Sequence, residues 1–232
     1  MSSVMTKLRK RQSPDLCVER CTPRWLASLF GRQAVRWSIK NEDIKEQLAD
    51  FKKAELWADT LLDEHWNDKF PVDPNVIAVN MGMEVWLAPT SGEFAGVILK
   101  TDKQEMPSIF VDKDATTSRK RLTIAHMVGH YVEHLGDPES PDQQIPGYFG
   151  FHDESMVSDE TILADRRPTD SGAPNQSQRE LFADYFACCL LIPEDKVLEF
   201  INKGANIKDV ATYFGVSAAT MRNRLNDLGI DL

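Results

Sequence analysis

The sequence predicts an α+β fold in which a small β-sheet packs beside two helices and a helical module follows at the C-terminal end. Three short β-like runs lie close together, at residues 83–88, 94–100 and 108–111. Two apolar helical segments come after them, one from residue 117 and one at about 178–191. The remainder, 194–232, has the pattern of short helices separated by glycines. This order of strands and then helices is typical of an α+β domain.

The first predicted elements are two helices. Apolar residues recur at helical spacing over 42–66, namely Ile44, Leu48, Phe51, Ala54, Ala58, Leu61 and Leu62. Asp73 is a favourable N-cap and Pro74 suits a first turn, so a short helix should begin there and end at Gly82. A later helix should be capped by Thr117 or Ser118 and should end at Gly136.

Length and composition favour one large domain, or one domain with a small appendage, in a chain of 232 residues. The sequence has no apolar run of membrane-spanning length and no signal-peptide pattern near its start, so we expect a cytoplasmic protein. Its four cysteines are not expected to form a disulfide framework. Two of them, Cys188 and Cys189, are adjacent in an apolar helix, and Cys17 and Cys21 lie near the N-terminus without a clear partner pair.

Charge is distributed unevenly along the chain. Residues 1–40 hold nine Lys and Arg and two Asp and Glu, so the net charge of this arm is about +7. Because the net charge of the whole chain is −9, the remainder carries about −16. A basic arm can contact nucleic acid, and the alternative is a poorly ordered, solvated tail. We favour the tail. Residues 41–193 should form the main domain, and 137–178, which are rich in proline and acidic residues, should form a long, partly disordered loop within it.

A pair of histidines marks the candidate site. His126 and His130 stand one helical turn apart, so both imidazoles project from the same face and can reach one Zn²⁺. Such a pair alone is weak evidence, but this one lies on an otherwise apolar helix. Gly129 between them lets another backbone approach closely. His134, eight residues after His126, should pack near the helix end instead of binding metal.

A catalytic zinc usually has three protein ligands, and the best third candidate is Glu180. Residues 177–180 also read as a capping box, in which this glutamate only satisfies a backbone N–H at the start of a helix. From the residues alone the two interpretations stay open.

Several spaced motifs resemble the ImmA/IrrE family of metallopeptidases, over about three quarters of the chain from about residue 45 onward. The motifs are Arg121-Leu122-Thr123-Ile124-Ala125-His126-x-x-Gly129-His130, Glu180-x-x-Ala183-Asp184-x-Phe186-Ala187 and Leu190-Leu191-Ile192-Pro193. The resemblance implies a zincin-like metallopeptidase domain with a helix-turn-helix-like module. It also implies zinc held by His126, His130 and Glu180, and cleavage of a helix-turn-helix repressor of a mobile element or stress regulon.

One residue departs from the family pattern. The position after the first histidine is glutamate in the family, where it serves as general base and acid, and here it is Met127. A thioether can do neither. The chain is then a natural pseudopeptidase, or a nearby carboxylate such as Glu133, Asp153 or Glu154 substitutes, or the methionine is a deliberate inactivation. The last is disfavoured because Gln or Ala would be the usual choice. Glu133 is two turns from His126 and is expected to be solvated.

The C-terminal module, 194–232, is predicted to be helix-turn-helix-like. Asn206 and Ser217 should cap successive helices around a turn at Gly215. The buried face should comprise Val210, Ala211, Phe214, Val216, Met221 and Leu225. A DNA-reading role would use exposed Thr220, Asn223 and Arg224. Basic and acidic residues nearly balance in this module, whereas DNA binding needs a positive surface, so packing or protein docking is favoured.

These observations lead to one main hypothesis and two alternatives. The main hypothesis is a zinc metallopeptidase-like regulator that recognises, and in the active case cleaves, a helix-turn-helix repressor. The first alternative is a catalytically inactive pseudopeptidase that acts by zinc-dependent protein binding. The second is a DNA-binding regulator.

Overall fold

The computed structural model describes residues 42–90, 95–101, 103–137, 140–141, 149–153 and 174–230. The basic arm, Cys17, Cys21, Glu154 and most of 137–178 lie outside the described residues. The first part of the fold comprises the helices α1 (Glu42–His65) and α2 (Pro74–Asn80), followed by the strands β1 (Glu84–Ala88), β2 (Gly96–Lys100) and β3 (Ser108–Asp112). The second part comprises α3 (Thr117–Leu135), the short strands β4 (Gly136–Asp137) and β5 (Ser140–Pro141), β6 (Phe149–Asp153), α4 (Pro174–Leu191), α5 (Glu194–Asn202), α6 (Ile207–Phe214) and α7 (Ala218–Asp227).

The predicted α+β class is confirmed, and the local signals placed the helix ends well. The Asp73 carboxylate accepts a hydrogen bond from Asn75 N at 3.0 Å and caps α2. The predicted N-cap of α3 was wrong by one residue. Thr116, and not Thr117 or Ser118, caps α3, because its hydroxyl accepts from Arg119 N at 3.3 Å. The same side-chain chemistry is available at each of these positions, and only the backbone path selects one of them.

Within the described residues the main sheet has four strands, in the order β1-β3-β2-β6. β1 and β3 run parallel, whereas β2 is antiparallel to both of its neighbours, β3 and β6. The first three strands are the predicted ones. The fourth is not, because residues 149–153 were expected to belong to a loop. Antiparallel pairing with β2 satisfies the backbone hydrogen-bonding groups of these residues. Their sequence gives little indication of a strand, because Gly150 lies inside it.

A single cluster of buried apolar residues connects the helices. It contains Ala54 and Leu61 from α1, the apolar residues of α3 between Ile124 and Val132, including Met127 and Val128, and most of the second half of α4. Cys188 and Cys189 are free thiols buried within α4. Tyr185 of α4 donates a hydrogen bond from its hydroxyl to Glu55 Oε1 of α1 at 2.5 Å, and this bond ties the two helices together.

The C-terminal helices pack onto the same core. The predicted buried face is confirmed, since all six of its residues are buried and belong to the cluster. The Asn206 and Ser217 side chains cap α6 and α7, and Gly215 ends α6 at φ 65°, a left-handed conformation that favours glycine. The Arg121 guanidinium of α3 donates to the carbonyl oxygens of Val72 and Phe214, so it connects α3 to α6. Among the described residues no helix combines the length and the hydropathy needed to cross a bilayer.

Candidate metal centre

The helix α3 places two imidazoles side by side in the interior. His130 is completely buried and His126 is 5% exposed. Because they are separated by one helical turn, their rings meet edge to face with centroids 4.6 Å apart. The two Nε2 atoms lie 3.0 Å from each other. Two ring nitrogens therefore converge on one point beside the helix, as the sequence spacing predicted.

The third group comes from α4. Glu180 presents one carboxylate oxygen to each ring: Oε2 lies 3.3 Å from His126 Nε2, and Oε1 lies 3.4 Å from His130 Nε2. The alternative role of Glu180 in a capping box does not fit, because α4 begins at Pro174 and Ser177 therefore lies inside the helix. The structure brings together the three residues that the family resemblance implied as zinc ligands.

Their spacing fits a tetrahedral ion. Zinc bonds of roughly 2.0–2.1 Å at tetrahedral angles put ligand atoms about 3.3–3.4 Å apart. Here the two Nε2 atoms are 3.0 Å apart, and each of them lies 3.3–3.4 Å from a different oxygen of the Glu180 carboxylate. Among the described residues, His126, His130 and Glu180 are the group of His, Cys, Asp and Glu side chains whose donor atoms lie close enough to share one ion. The donor set, two imidazoles and one carboxylate, is also one that zinc prefers.

Protonation states also suit metal binding. Burial lowers the pKa of His130, which favours the neutral imidazole. For Glu180, burial raises the pKa, but the interactions of its carboxylate with His126 and His130 outweigh burial and hold the pKa well below its usual range. A neutral imidazole and an ionised carboxylate are the forms that coordinate a cation.

Asp184 is a further residue at the site, and the sequence predicted no role for it. Its Oδ1 lies 2.8 Å from His126 Nδ1 and accepts the hydrogen bond from that ring nitrogen. This bond fixes the tautomer, so that the lone pair of His126 Nε2 faces the cluster. A signal for it was present, because Asp184 follows Glu180 by four residues and must share its helix face.

Gly129 permits the close approach of α3 and α4 that this geometry needs. A Cβ at this position would lie 2.9 Å from Ala183 Cα and 3.0 Å from Phe186 Cδ1. The expectation that another backbone comes near Gly129 is confirmed. Since α3 carries the histidines and α4 carries Glu180 and Asp184, this contact sets the distance between the two halves of the site.

Met127 lies beside the cluster but belongs to the hydrophobic core. It is fully buried, and its Cε is 3.9 Å from the place that a Cβ on Gly96 of β2 would occupy. The side chain therefore fills the space between α3 and the sheet with apolar volume. It offers no group that exchanges a proton near the two imidazoles.

The structure places the proposed substitute carboxylates differently. Glu133 was expected to be solvated, but it is largely buried, and its Oε1 lies 3.5 Å from Arg179 Nε. Burial raises its pKa, and Arg179 lowers it less strongly. Glu133 is not part of the three-residue cluster, and neither is His134. The backbone of Asp153 is in β6, opposite Gly96.

Two of the three proposed DNA-reading residues are not exposed. Thr220 is 4% exposed and Arg224 is 2% exposed, so the expectation for them was wrong, while Asn223 is half-buried. Arg224 donates from Nε to Ile192 O at 3.2 Å, and its guanidinium carbon lies 5.6 Å from the Tyr185 ring centre. The face of α7 that contains Thr220 and Arg224 also contains the core residues Met221 and Leu225, so it faces inward.

Comparison with known proteins agrees with the fold. The model of the M78 peptidase family, described as an IrrE N-terminal-like domain, matches residues 85–226, which is more than half of the chain. The match includes His126, His130, Glu180 and Asp184. A search of curated proteins finds no match. The chain is thus a member of the IrrE N-terminal-like family of M78 metallopeptidases.

Proposed function

We propose that this metallopeptidase-like regulator binds one zinc ion through His126, His130 and Glu180 and recognises a helix-turn-helix repressor while hydrolysing it slowly or not at all. The observation that carries the proposal is the separation of the three donor groups, 3.0–3.4 Å, together with the Asp184 bond behind His126. This arrangement provides the three ligands and the supporting hydrogen bond of a zinc site. It provides no general base beside the ion for peptide hydrolysis.

The missing part is a general base. When bound, zinc would supply Lewis acidity towards a peptide carbonyl. Met127 cannot take a proton from a nucleophile or give one to a leaving amine. The described carboxylates nearest the site are engaged, since Glu180 faces both imidazoles, Asp184 bonds to His126, and Glu133 is paired with Arg179. Loss of a general base typically slows such a reaction about 10²–10⁴-fold.

Partner recognition is the activity that remains once hydrolysis is weakened. Family membership supports a protein as the bound molecule, and a repressor of a mobile element or stress regulon is the specific partner we propose. DNA reading by Thr220 and Arg224 is not part of the proposal, because both side chains are buried.

The first test is the metal content of the purified protein. We expect about one zinc per chain in the wild type, and loss of zinc in His126→Ala and in His130→Ala. His134→Ala is the matched control because it removes a partly buried histidine from the same helix and leaves the cluster intact. Loss of zinc in the control, or its retention in either ligand variant, would contradict the proposed site.

The second test concerns the partner. A candidate helix-turn-helix repressor is mixed with the zinc-loaded protein, and the mixture is analysed by size-exclusion chromatography and intact mass spectrometry. A zinc-dependent complex that contains the uncleaved repressor is expected. Rapid cleavage by the wild type would favour the active peptidase, and the absence of any complex would contradict the proposed partner.

A further inference from the structure

The strand β2 packs against the metal-binding helix, as does its neighbour β3. A Cβ on Gly96, its first residue, would lie 2.4 Å from Thr123 Cγ2 and 3.9 Å from Met127 Cε. These two side chains precede and follow His126 on α3. The edge of β2 is therefore the place where an extended chain, added to the sheet, would run beside the metal centre.

That edge is covered by β6. Five residues of β6 pair with five of β2 in antiparallel register, from Gly96 opposite Asp153 to Lys100 opposite Phe149. β6 also contacts α3. It comes from the segment that follows the metal-binding helix, and within the described residues it is the outermost strand on this side of the sheet. The opposite edge is β1, which β3 separates from β2.

We propose that β6 is an internal strap that occupies, with its own main chain, the peptide-binding edge of the sheet beside the metal centre. An extended segment of a partner protein pairs with β2 only after β6 has left it. Sheet edges bind extended peptides through main-chain hydrogen bonds, which require no particular partner sequence. The inference rests on the proposed function in one respect, that the metal centre is the place to which the partner chain is brought.

The sequence of β6 suits a strap that can be displaced. Gly150 inside the strand weakens it, because glycine loses more conformational entropy than other residues when it is ordered. Because β6 belongs to the same chain, it competes with the partner at an effective concentration of the order of millimolar. A strap that is closed 90–99% of the time would weaken the apparent affinity for a peptide about 10- to 100-fold.

Two proline variants test this inference. Successive N–H groups along a strand point to opposite sides, so one of Gly150 and Phe151 donates towards β2 and the other points away. Hydrogen exchange of the wild type identifies the inward one by its slower rate. Proline there removes a ladder hydrogen bond, whereas proline at the neighbouring residue is tolerated at a sheet edge. Gly150→Pro and Phe151→Pro therefore serve as controls for each other.

The probe is a fluorescein-labelled peptide hydroxamate, which joins an extended backbone to a zinc-chelating group. Its binding to the zinc-loaded full chain is followed by fluorescence anisotropy. We expect the inward proline variant to bind it about 10-fold or more tightly than the wild type, and the outward variant to bind it like the wild type. In the wild-type complex, amides of 149–153 should lose protection against hydrogen exchange while those of β2 keep it.

The metal is measured separately, so that a failure of the strap is distinguishable from a failure of the proposed function. The visible spectrum of the Co²⁺-substituted protein reports coordination without any peptide. An absent Co²⁺ spectrum in the wild type would count against the metal site itself. If the spectrum is present in all three proteins, three results would each overturn the proposal that β6 is a strap. They are equal peptide affinities of the three proteins, absence of peptide binding by all of them, and unchanged protection of the β6 amides in the complex.

Discussion

Gly129 of α3 lies against the backbone of Ala183 of α4, so closely that a Cβ on Gly129 would be 2.9 Å from Ala183 Cα and 3.1 Å from its carbonyl oxygen. The contact joins α3, which carries the two histidines, to α4, which carries Glu180 and Asp184. Backbone atoms cannot move aside as a flexible side chain can, so the helix separation depends on the absence of a side chain at 129.

Gly129→Ala is therefore expected to destabilise the protein even though alanine is the better helix former. Helix propensity alone would contribute about 1 kcal/mol of stabilisation. Overpacking against Ala183 and Phe186 should cost about 1–3 kcal/mol and should also lower zinc affinity, because α3 and α4 are pushed apart. Urea unfolding of the metal-free protein and zinc titration measure the two effects. A gain of stability with unchanged zinc affinity would show that the contact is looser than described.

Asp184→Ala is expected to lower zinc affinity without removing a ligand. The variant deletes the acceptor for His126 Nδ1 and frees that ring to change its tautomer and orientation. Loss of such a supporting bond typically weakens metal binding about 10–100-fold. Competition with a chromophoric chelator measures the affinity, and the exposed Glu199→Ala on α5 is the control. An affinity equal to that of the wild type would rule out a supporting role.

Met127→Glu should convert a slow or inactive protein into a peptidase. The new carboxylate would supply the missing proton transfer, and we expect cleavage of the repressor to rise by at least about 10²-fold. Met127→Gln is the matched control, since it has nearly the same shape and polarity but no basic oxygen of comparable strength. Both variants place a polar group at a fully buried position, so thermal unfolding must show that each is folded. Equal cleavage by the two would contradict the proton-transfer explanation.

Arg224→Ala is expected to destabilise the fold by about 2–3 kcal/mol, because it leaves the buried Ile192 carbonyl without its donor and removes the packing of the guanidinium on Tyr185. Arg222→Ala, on the same helix but exposed, should change stability by less than about 0.5 kcal/mol. Urea unfolding of the two variants makes the comparison. If Arg224 instead served DNA binding, its removal would weaken a DNA complex and leave the unfolding curve unchanged.

Glu133→Gln is expected to stabilise the protein at neutral pH. Burial raises the pKa of Glu133 in the folded state, so the folded protein binds this proton more strongly than the unfolded chain does. The stability that Glu133 contributes is therefore fully present below the unfolded pKa of about 4.5 and is lost as the pH rises through the folded pKa.

The measurement for Glu133 is the difference in unfolding free energy between the variant and the wild type, taken from pH 4 to pH 8. The advantage of glutamine should grow with pH over this range. Zinc content should not change, because Glu133 is outside the cluster. A variant that lost stability at pH 8, or that lost zinc, would assign Glu133 a different role.

Features that depend on neighbours in the chain were predictable from the sequence. The caps at Asp73, Asn206 and Ser217 follow from side-chain oxygens placed two or three residues before backbone N–H groups. Likewise, His126 and His130 share a face because of the helical repeat alone. The family resemblance then selected Glu180, for which local sequence offered two roles.

Features that depend on distant parts of the chain required the tertiary structure. Only the packing of α3 against α4 decides that Glu180 faces both imidazoles and that Asp184 reaches His126. The amphipathic pattern of α7 predicted one buried face and placed Arg224 outside it. Arg224 nevertheless lies on the buried face, because its long side chain reaches the Ile192 carbonyl inside the core.

The sequence by itself determined the order of the elements and the pair of imidazoles at the centre of the site, because hydrogen bonds and side-chain spacing within one helix or strand act over a few residues. The position of β6 was decided only by the tertiary structure. Its backbone groups pair with β2, about fifty residues earlier in the chain. No local pattern encodes a partner at that distance, since the main-chain hydrogen bonds are of the same kind for any pair of strands and form only when distant parts of the chain meet.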